Sequence, residues 1–241
     1  MYGMYGYGYG YGLDPTIILV LIGVALSLWA QGRVNSTFSR YSRVRSMTGM
    51  TGAEAARRLL NAQGIYDVTV QQIAGELTDH YDPRTKTVNL SQSVYGVTSV
   101  AAIGVAAHEC GHAMQDNEGY APLRFRSALV PVANFGSSLS WPLILLGLVF
   151  GGLGSPLVEI GILMFSLAVL FQLVTLPVEY NASARAVRLL DAQGILAGEE
   201  VNGTRKVLNA AALTYVAAAA TSILQLLRLI ILFGGRNRRD R

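Results

Sequence analysis

The chain has 241 residues, 51% hydrophobic and only 14% charged, with a formal net charge of +4. That balance excludes an ordinary soluble domain, in which about a quarter of residues are charged, and the apolar residues lie in long blocks that point to an integral membrane protein. The single cysteine, Cys110, excludes an intrachain disulfide and fits a reducing compartment.

The chain opens MYGMYGYGYGYG. Residues 1–15 are read as a disordered Tyr-Gly-rich tail, too flexible to pack a core, whose tyrosines suit the lipid headgroup level. Residues 16–30 (TIILVLIGVALSLWA) carry no charge and are read as a transmembrane anchor. A signal peptide is the alternative, but no Lys or Arg precedes Arg33 and no A-x-A site follows. Arg33, Arg40, Arg43 and Arg45 come next, so the positive-inside rule puts 31–128 in the cytoplasm.

Within that segment Thr51-Gly-Ala-Glu54 reads as a capping box opening a helix that stops at Gly64. RLLNAQGI (58–65) recurs as RLLDAQGI (188–195); two helices closed by the same glycine C-cap explain this, and the likeness is too short to claim a duplication. DVTVQQI and KTVNLS alternate apolar and polar residues around the turn-rich ELTDHYDPRT, which predicts short strands or a hairpin. An edge strand there could pair with an extended peptide.

Residues 99–114 are dense in Ala and Gly and free of Pro, the composition of a helix packed closely among others. They contain His108-Glu109-Cys110-Gly111-His112. On a helix, H-E-x-x-H puts both imidazoles on one face, where they can share a Zn²⁺ ion, with Glu109 about a hundred degrees around as a general base. The bland alternative is an amphipathic helix with half-buried, hydrogen-bonded histidines. Cys110 falls at a non-ligand position.

Residues 129–150 carry no charge and 156–178 only Glu159, near the start; together 129–178 form a transmembrane hairpin. The turn near Ser155 has no basic residue, and Arg185 and Arg188 follow the second span, consistent with a cytoplasmic motif segment. A catalytic zinc needs a third protein ligand. Glu159 lies about 25–30 Å from the motif by helical rise. Glu179 returns to the motif's side of the membrane at LPVEYNASARAV, with Asn181, Ser183 and Arg185 close behind as partners that orient the ligand. His80 is a spare histidine in the turn-rich stretch, and Glu54, Glu76, Glu118, Glu199 and Glu200 also stand on the right side. After the 179–210 segment, 211–233 is apolar but interrupted by Thr214, Thr221, Ser222, Gln225 and Arg228, so it spans the membrane or packs in the core. The basic tail, 234–241, favours a cytoplasmic end and hence a segment that does not span; its charge is a membrane or topology signal rather than a nucleic-acid site.

AHECGHAMQ followed by a hydrophobic hairpin and LPVEYNASARA resembles the YugP-like membrane zinc metallopeptidases, with TGAEAARRLL, LTDHYDPRTKTVNLS and AALTYVAAAA similar to other blocks of that family. More distantly the order of elements is similar to the HtpX and CAAX prenyl protease group of gluzincins. The resemblance implies His108 and His112 as zinc ligands, Glu109 as catalytic base and Glu179 as third ligand. In the distant group that helix reads E-x-x-x-D; here Ser183 takes the Asp position. The resulting expectation is a mainly α integral membrane protein with a helical zincin-like core, a small β-hairpin or sheet and three to four membrane-embedded helices. It would be a multi-pass zinc endopeptidase of the cell membrane acting from the cytoplasmic face on protein or peptide substrates, membrane-associated ones first, with the bilayer and not nucleic acid as its partner. Asn181, Ser183, Arg185 and His80 are the candidates for second contacts or transition-state contacts. The alternative is a non-hydrolytic zinc-binding membrane scaffold or a metal transporter.

Overall fold

The computed structural model describes residues 14–152 and 155–234, so the Tyr-Gly run and the arginines of the tail lie outside the described residues. The described elements are α1 (Ile17–Tyr41), α2 (Gly52–Ala62), β1 (Thr69–Gln72), β2 (His80–Asp82), β3 (Thr87–Leu90), α3 (Val100–Asn117), α4 (Ala121–Gly151), α5 (Pro156–Ala192) and α6 (Glu199–Phe233). This is a mainly α membrane protein: α1, α4, α5 and α6 are each long and apolar enough to cross a bilayer. Leu21, Leu28, Trp29, Phe135, Val149, Phe150, Leu163 and Ile231 are exposed along them, a surface that hydrocarbon solvates and water does not.

Helix length decides where the polar machinery sits. The 37 residues of α5 rise about 55 Å, well beyond a ~30 Å hydrocarbon core. One continuous helix is therefore long enough to cross the apolar zone and still carry the residues beyond Val178 past it. α4 and α5 pack along each other, with Ser155 capping α5 by accepting from the Leu157 amide at 3.3 Å. α4 begins at Ala121, earlier than the expected hairpin boundary, because the helix runs on through the basic residues Arg124 and Arg126. α1 likewise continues past residue 30 to Tyr41.

α6 runs antiparallel to α1. A Cβ at Gly23 would sit 2.8 Å from the Thr221 methyl, and the Thr221 hydroxyl donates to the Gly23 carbonyl at 3.1 Å. Small residues thus allow the two helices to approach closely. At the far end Arg228 pairs with Asp14 at 3.3 Å, which places the C-terminal end of α6 beside the start of α1. Helix packing therefore matches the whole of α6 to α1, whereas the charge pattern of the tail favoured a segment that stays on one side.

At the other end α2, the sheet and α3 pack over the ends of α5 and α6, around Leu59, Leu60, Val88, Leu90, Ile103, Leu190, Ile195 and Leu196. The capping box forms: the Glu54 amide donates to Thr51 Oγ1, and Glu54 Oε2 accepts from the Thr51 amide at 2.8 Å. The two AQGI endings close alike. Gly64 (φ 70°) and Gly194 (φ 60°) take the left-handed conformation, and the amides of buried Ile65 and Ile195 donate to Leu60 and Leu190 carbonyls, each at 3.0 Å. Arg58 then donates to the Gln193 carbonyl at 2.9 Å, joining the two endings.

The sheet has the order β1-β3-β2, with β1 parallel and β2 antiparallel to β3. Here the structure departs from the sequence expectation, since His80–Asp82 lies inside the stretch read as turn-rich yet forms an edge strand. Tertiary bonds outweigh the turn propensity: Asp79 accepts from the Ser91 amide at 2.7 Å and its hydroxyl at 2.9 Å, and the Tyr81 hydroxyl donates to Asp116 at 2.8 Å.

Candidate metal centre

α3 starts where the Ser99 hydroxyl accepts from the Ala102 amide, and it is buried on nearly every side. It can lie so close to α5 because of Gly111, where a Cβ would stand 2.6 Å from the Ala182 carbonyl oxygen. That contact sets the α3 imidazoles directly against the α5 turn that carries Glu179.

Three side chains converge there. His108 Nε2 is 3.2 Å and His112 Nε2 3.6 Å from the same oxygen, Glu179 Oε2. The two rings are edge to face with centroids 4.8 Å apart, and one donor atom from each of the three residues falls within 4.8 Å of the others. Glu179 is 1% exposed, too buried for a solvated carboxylate. Two imidazole nitrogens aimed at one carboxylate oxygen require a cation or protons between them, and a borderline metal such as Zn²⁺ suits this mixed nitrogen and oxygen donor set.

The far ring nitrogens are also held. His108 Nδ1 is 3.1 Å from the Ser183 hydroxyl, so the serine in the E-x-x-x-D position contacts a motif histidine. His112 Nδ1 is 3.0 Å from Gln115 Oε1, and an amide oxygen only accepts, so Nδ1 carries the proton and leaves Nε2 for a metal. Gln115 in turn donates to the Val178 carbonyl at 2.9 Å and to Asn181 Oδ1 at 3.0 Å. Arg185 donates to the same Asn181 oxygen at 2.7 Å and pairs with Glu118 at 2.6 Å. Asn181 and Arg185 therefore reach the cluster through Gln115 rather than directly. Burial lowers the His112 pKa, but the Glu179 hydrogen bond and the charges of Glu109 and Glu179 outweigh it, for a net upward shift. Burial pushes the Cys110 thiol up, keeping it an inert neutral group packed at the Ala56 carbonyl.

Glu109 is buried and lines both cavities that meet at the cluster. The larger, about 620 Å³, runs from β2 to Arg126 and Pro131 of α4. The smaller, about 170 Å³, is walled by apolar residues that include Val105, Leu208 and Ala212. His80 stands on the rim of the larger cleft, outside the three-residue cluster; its Nδ1 is 2.9 Å from the Thr78 carbonyl and its Nε2 3.2 Å from Asn89 Nδ2. Sequence reasoning missed three residues. Gln115 follows His112 by three positions on the same helix face, a spacing that was readable. Arg126, 3.4 Å from Glu179 Oε1 with its Nε buried and unpartnered among the described residues, arrives on α4 without any local signal. Tyr215 arrives the same way on α6, lining both cavities.

The fold and the cluster define a class, a helical membrane protein with a largely buried two-histidine, one-carboxylate centre that could hold a metal ion. The chain belongs to the family described as "Putative neutral zinc metallopeptidase", whose model matches residues 16–234. It is 49% identical over 217 residues to "Putative membrane protease YugP" of Bacillus subtilis (strain 168), covering 90% of this chain and 96% of that one. No solved structure matches it. Zinc is the metal of this family, and His108, His112 and Glu179 are the cluster that could hold it.

Gln115 gives a direct check on how the cluster is held. Gln115→Leu keeps the volume and removes the acceptor for His112 Nδ1, and zinc affinity is expected to fall by about 10–100-fold. Titration against a fluorescent zinc chelator measures it; unchanged affinity would remove Gln115 from the site.

Proposed function

We propose that this protein is a zinc-dependent endopeptidase of the gluzincin type, with His108, His112 and Glu179 as metal ligands and Glu109 as general base. The observation that carries this reading is the approach of both Nε2 atoms to Glu179 Oε2 beside a buried Glu109 in an open cleft. His108, His112 and Glu179 would hold the zinc, which when bound would supply a Lewis acid able to acidify water and polarise a peptide carbonyl. Glu109 accepts the proton of the attacking water and returns it to the leaving amine. Arg126 and Tyr215 line the cleft wall next to Glu179, where donors can steady charge that develops on the carbonyl oxygen. The edge strand β2 borders the cleft and offers backbone groups to an extended peptide.

The cluster sits where α5 passes from the apolar run ending at Val178 into polar sequence, at the membrane border. The arginines at and just after the end of α1 and on the polar end of α5 support a cytoplasmic border, and with it cytoplasmic or juxtamembrane substrates, membrane proteins foremost. A metal transporter would place its ligands near the bilayer midplane, and the border position speaks for hydrolysis. The pairing of α6 with α1 further supports four spans, with residue 234 on the same side as residue 14. A cysteine introduced at Arg236 is then expected to react with an impermeant maleimide from outside intact cells, and labelling only after lysis would contradict the fourth span.

The function is tested with full-length protein in detergent micelles and an unfolded polypeptide. Removing metal with 1,10-phenanthroline is expected to stop cleavage, and stoichiometric zinc to restore it. Cleavage that persists in metal-free protein would overturn the assignment, as would protein that moves zinc across vesicles and never cuts.

A further inference from the structure

On the other side of α6 from the metal centre lies a second cavity, about 690 Å³, formed by α1, α5 and α6. Three cations line it: Arg33 and Arg40 from α1 and Lys206 from α6. Ser36, Thr37 and Asn209 add uncharged hydrogen-bonding groups, and no carboxylate is among the lining residues. Among the described residues none of the three cations is in a salt bridge.

Its level in the membrane follows from where three helices change character. The apolar run of α1 ends at Ala30, that of α5 at Val178, and that of α6 begins at Ala210; Arg33, Tyr180 and Asn209 each lie within a turn of those points and share this cavity. Ala210 and Leu213 add apolar lining, and just before Arg33 on α1 stand the exposed Leu28 (68%) and Trp29 (54%). Three cations beside the ends of three apolar runs, with Ala210 and Leu213 in the same cavity, match a molecule with an anionic head and apolar tails.

We propose that this cavity binds the phosphate-bearing headgroup of an anionic phospholipid, with the acyl chains lying along the exposed faces of α1 and α6. A free phosphate would meet the same cations but leave the apolar lining and the adjoining faces unused. The positive-inside rule accounts for basic residues in this region, yet it makes no distinction between Arg33, which lines the cavity, and Arg43, which does not. Binding in a defined site does make that distinction.

The chain has two tryptophans, and Trp29 lies one helical turn before Arg33, so the full-length Trp141→Phe protein reports on this site alone. It is reconstituted in phosphatidylcholine vesicles containing increasing fractions of phosphatidylglycerol brominated on its acyl chains, which quenches tryptophan at short range. Quenching of Trp29 is expected to half-saturate at a fraction at least fivefold lower than for brominated phosphatidylcholine. Each of Arg33→Gln, Arg40→Gln and Lys206→Gln should raise that fraction by about fivefold, while Arg43→Gln leaves it in place. Coincident curves for the two lipids would overturn the proposal, and so would an effect of Arg43→Gln equal to that of Arg33→Gln. Tight binding of inorganic phosphate or glycerol 3-phosphate by isothermal titration, lost in Arg33→Gln and found together with coincident quenching curves for the two lipids, would assign the cavity to a soluble phosphate and overturn the lipid assignment.

Discussion

Glu109→Gln is expected to lower peptide hydrolysis by roughly 10²–10⁴-fold, the usual contribution of a positioned general base, while zinc stays bound. The two halves of this result have separate physical causes. Glutamine has nearly the same shape as glutamate, so the buried wall that Glu109 forms between the two cavities stays filled. Its amide cannot accept a proton from water, so the activating step is lost. Zinc remains because Glu109 is not one of the three residues whose donor atoms converge. The checks are kcat/KM on a quenched fluorescent peptide and zinc per chain by mass spectrometry. Full activity would remove Glu109 from catalysis, and loss of zinc would make it part of the metal shell.

Glu179→Gln is expected to cost more zinc affinity than the ~10–100-fold typical of losing an outer partner, because a neutral amide replaces the one carboxylate facing both imidazoles. Glutamine is the better substitution here than alanine, which would also leave Arg126, 3.4 Å from Glu179 Oε1, above an empty space. Glu159→Gln serves as the control: it sits in the first turn of the same helix, 20 positions away, or about 30 Å along the axis. Zinc titration of the two proteins should separate them completely, with Glu159→Gln indistinguishable from the parent. Equal affinities would move the third ligand elsewhere, to His80 before any other residue.

Much of the membrane architecture was legible because apolar length is a one-dimensional property, so the anchor and the 129–178 hairpin stand out in the letters. The cluster of His108, His112 and Glu179 was legible for two different reasons. The histidines are neighbours on one helix face by spacing alone, and Glu179 is brought back by a hairpin whose length dictates the side on which it emerges. β2 was not legible, because Asp79, Asp82 and Pro83 are turn formers and the strand exists through bonds to Ser91 and Asp116, both distant in sequence. Arg126 and Tyr215 were hidden for the same reason, arriving on helices whose approach to α3 depends on tertiary packing. The fourth apolar segment posed a conflict between two local signals, a polar-interrupted run and a basic tail. Neither carries the information that Thr221 fits against Gly23 and Arg228 against Asp14, which only the pairing of α1 with α6 reveals.

In the proposed peptidase one zinc ion joins α3 to α5. The most direct measurement is an anomalous difference map at the zinc absorption edge from crystals of the zinc-loaded Glu109→Gln protein. A single strong peak is expected at about 2.0–2.2 Å from His108 Nε2, His112 Nε2 and a Glu179 carboxylate oxygen. A peak at His80, or no peak between α3 and α5 in protein that retains zinc, would contradict it.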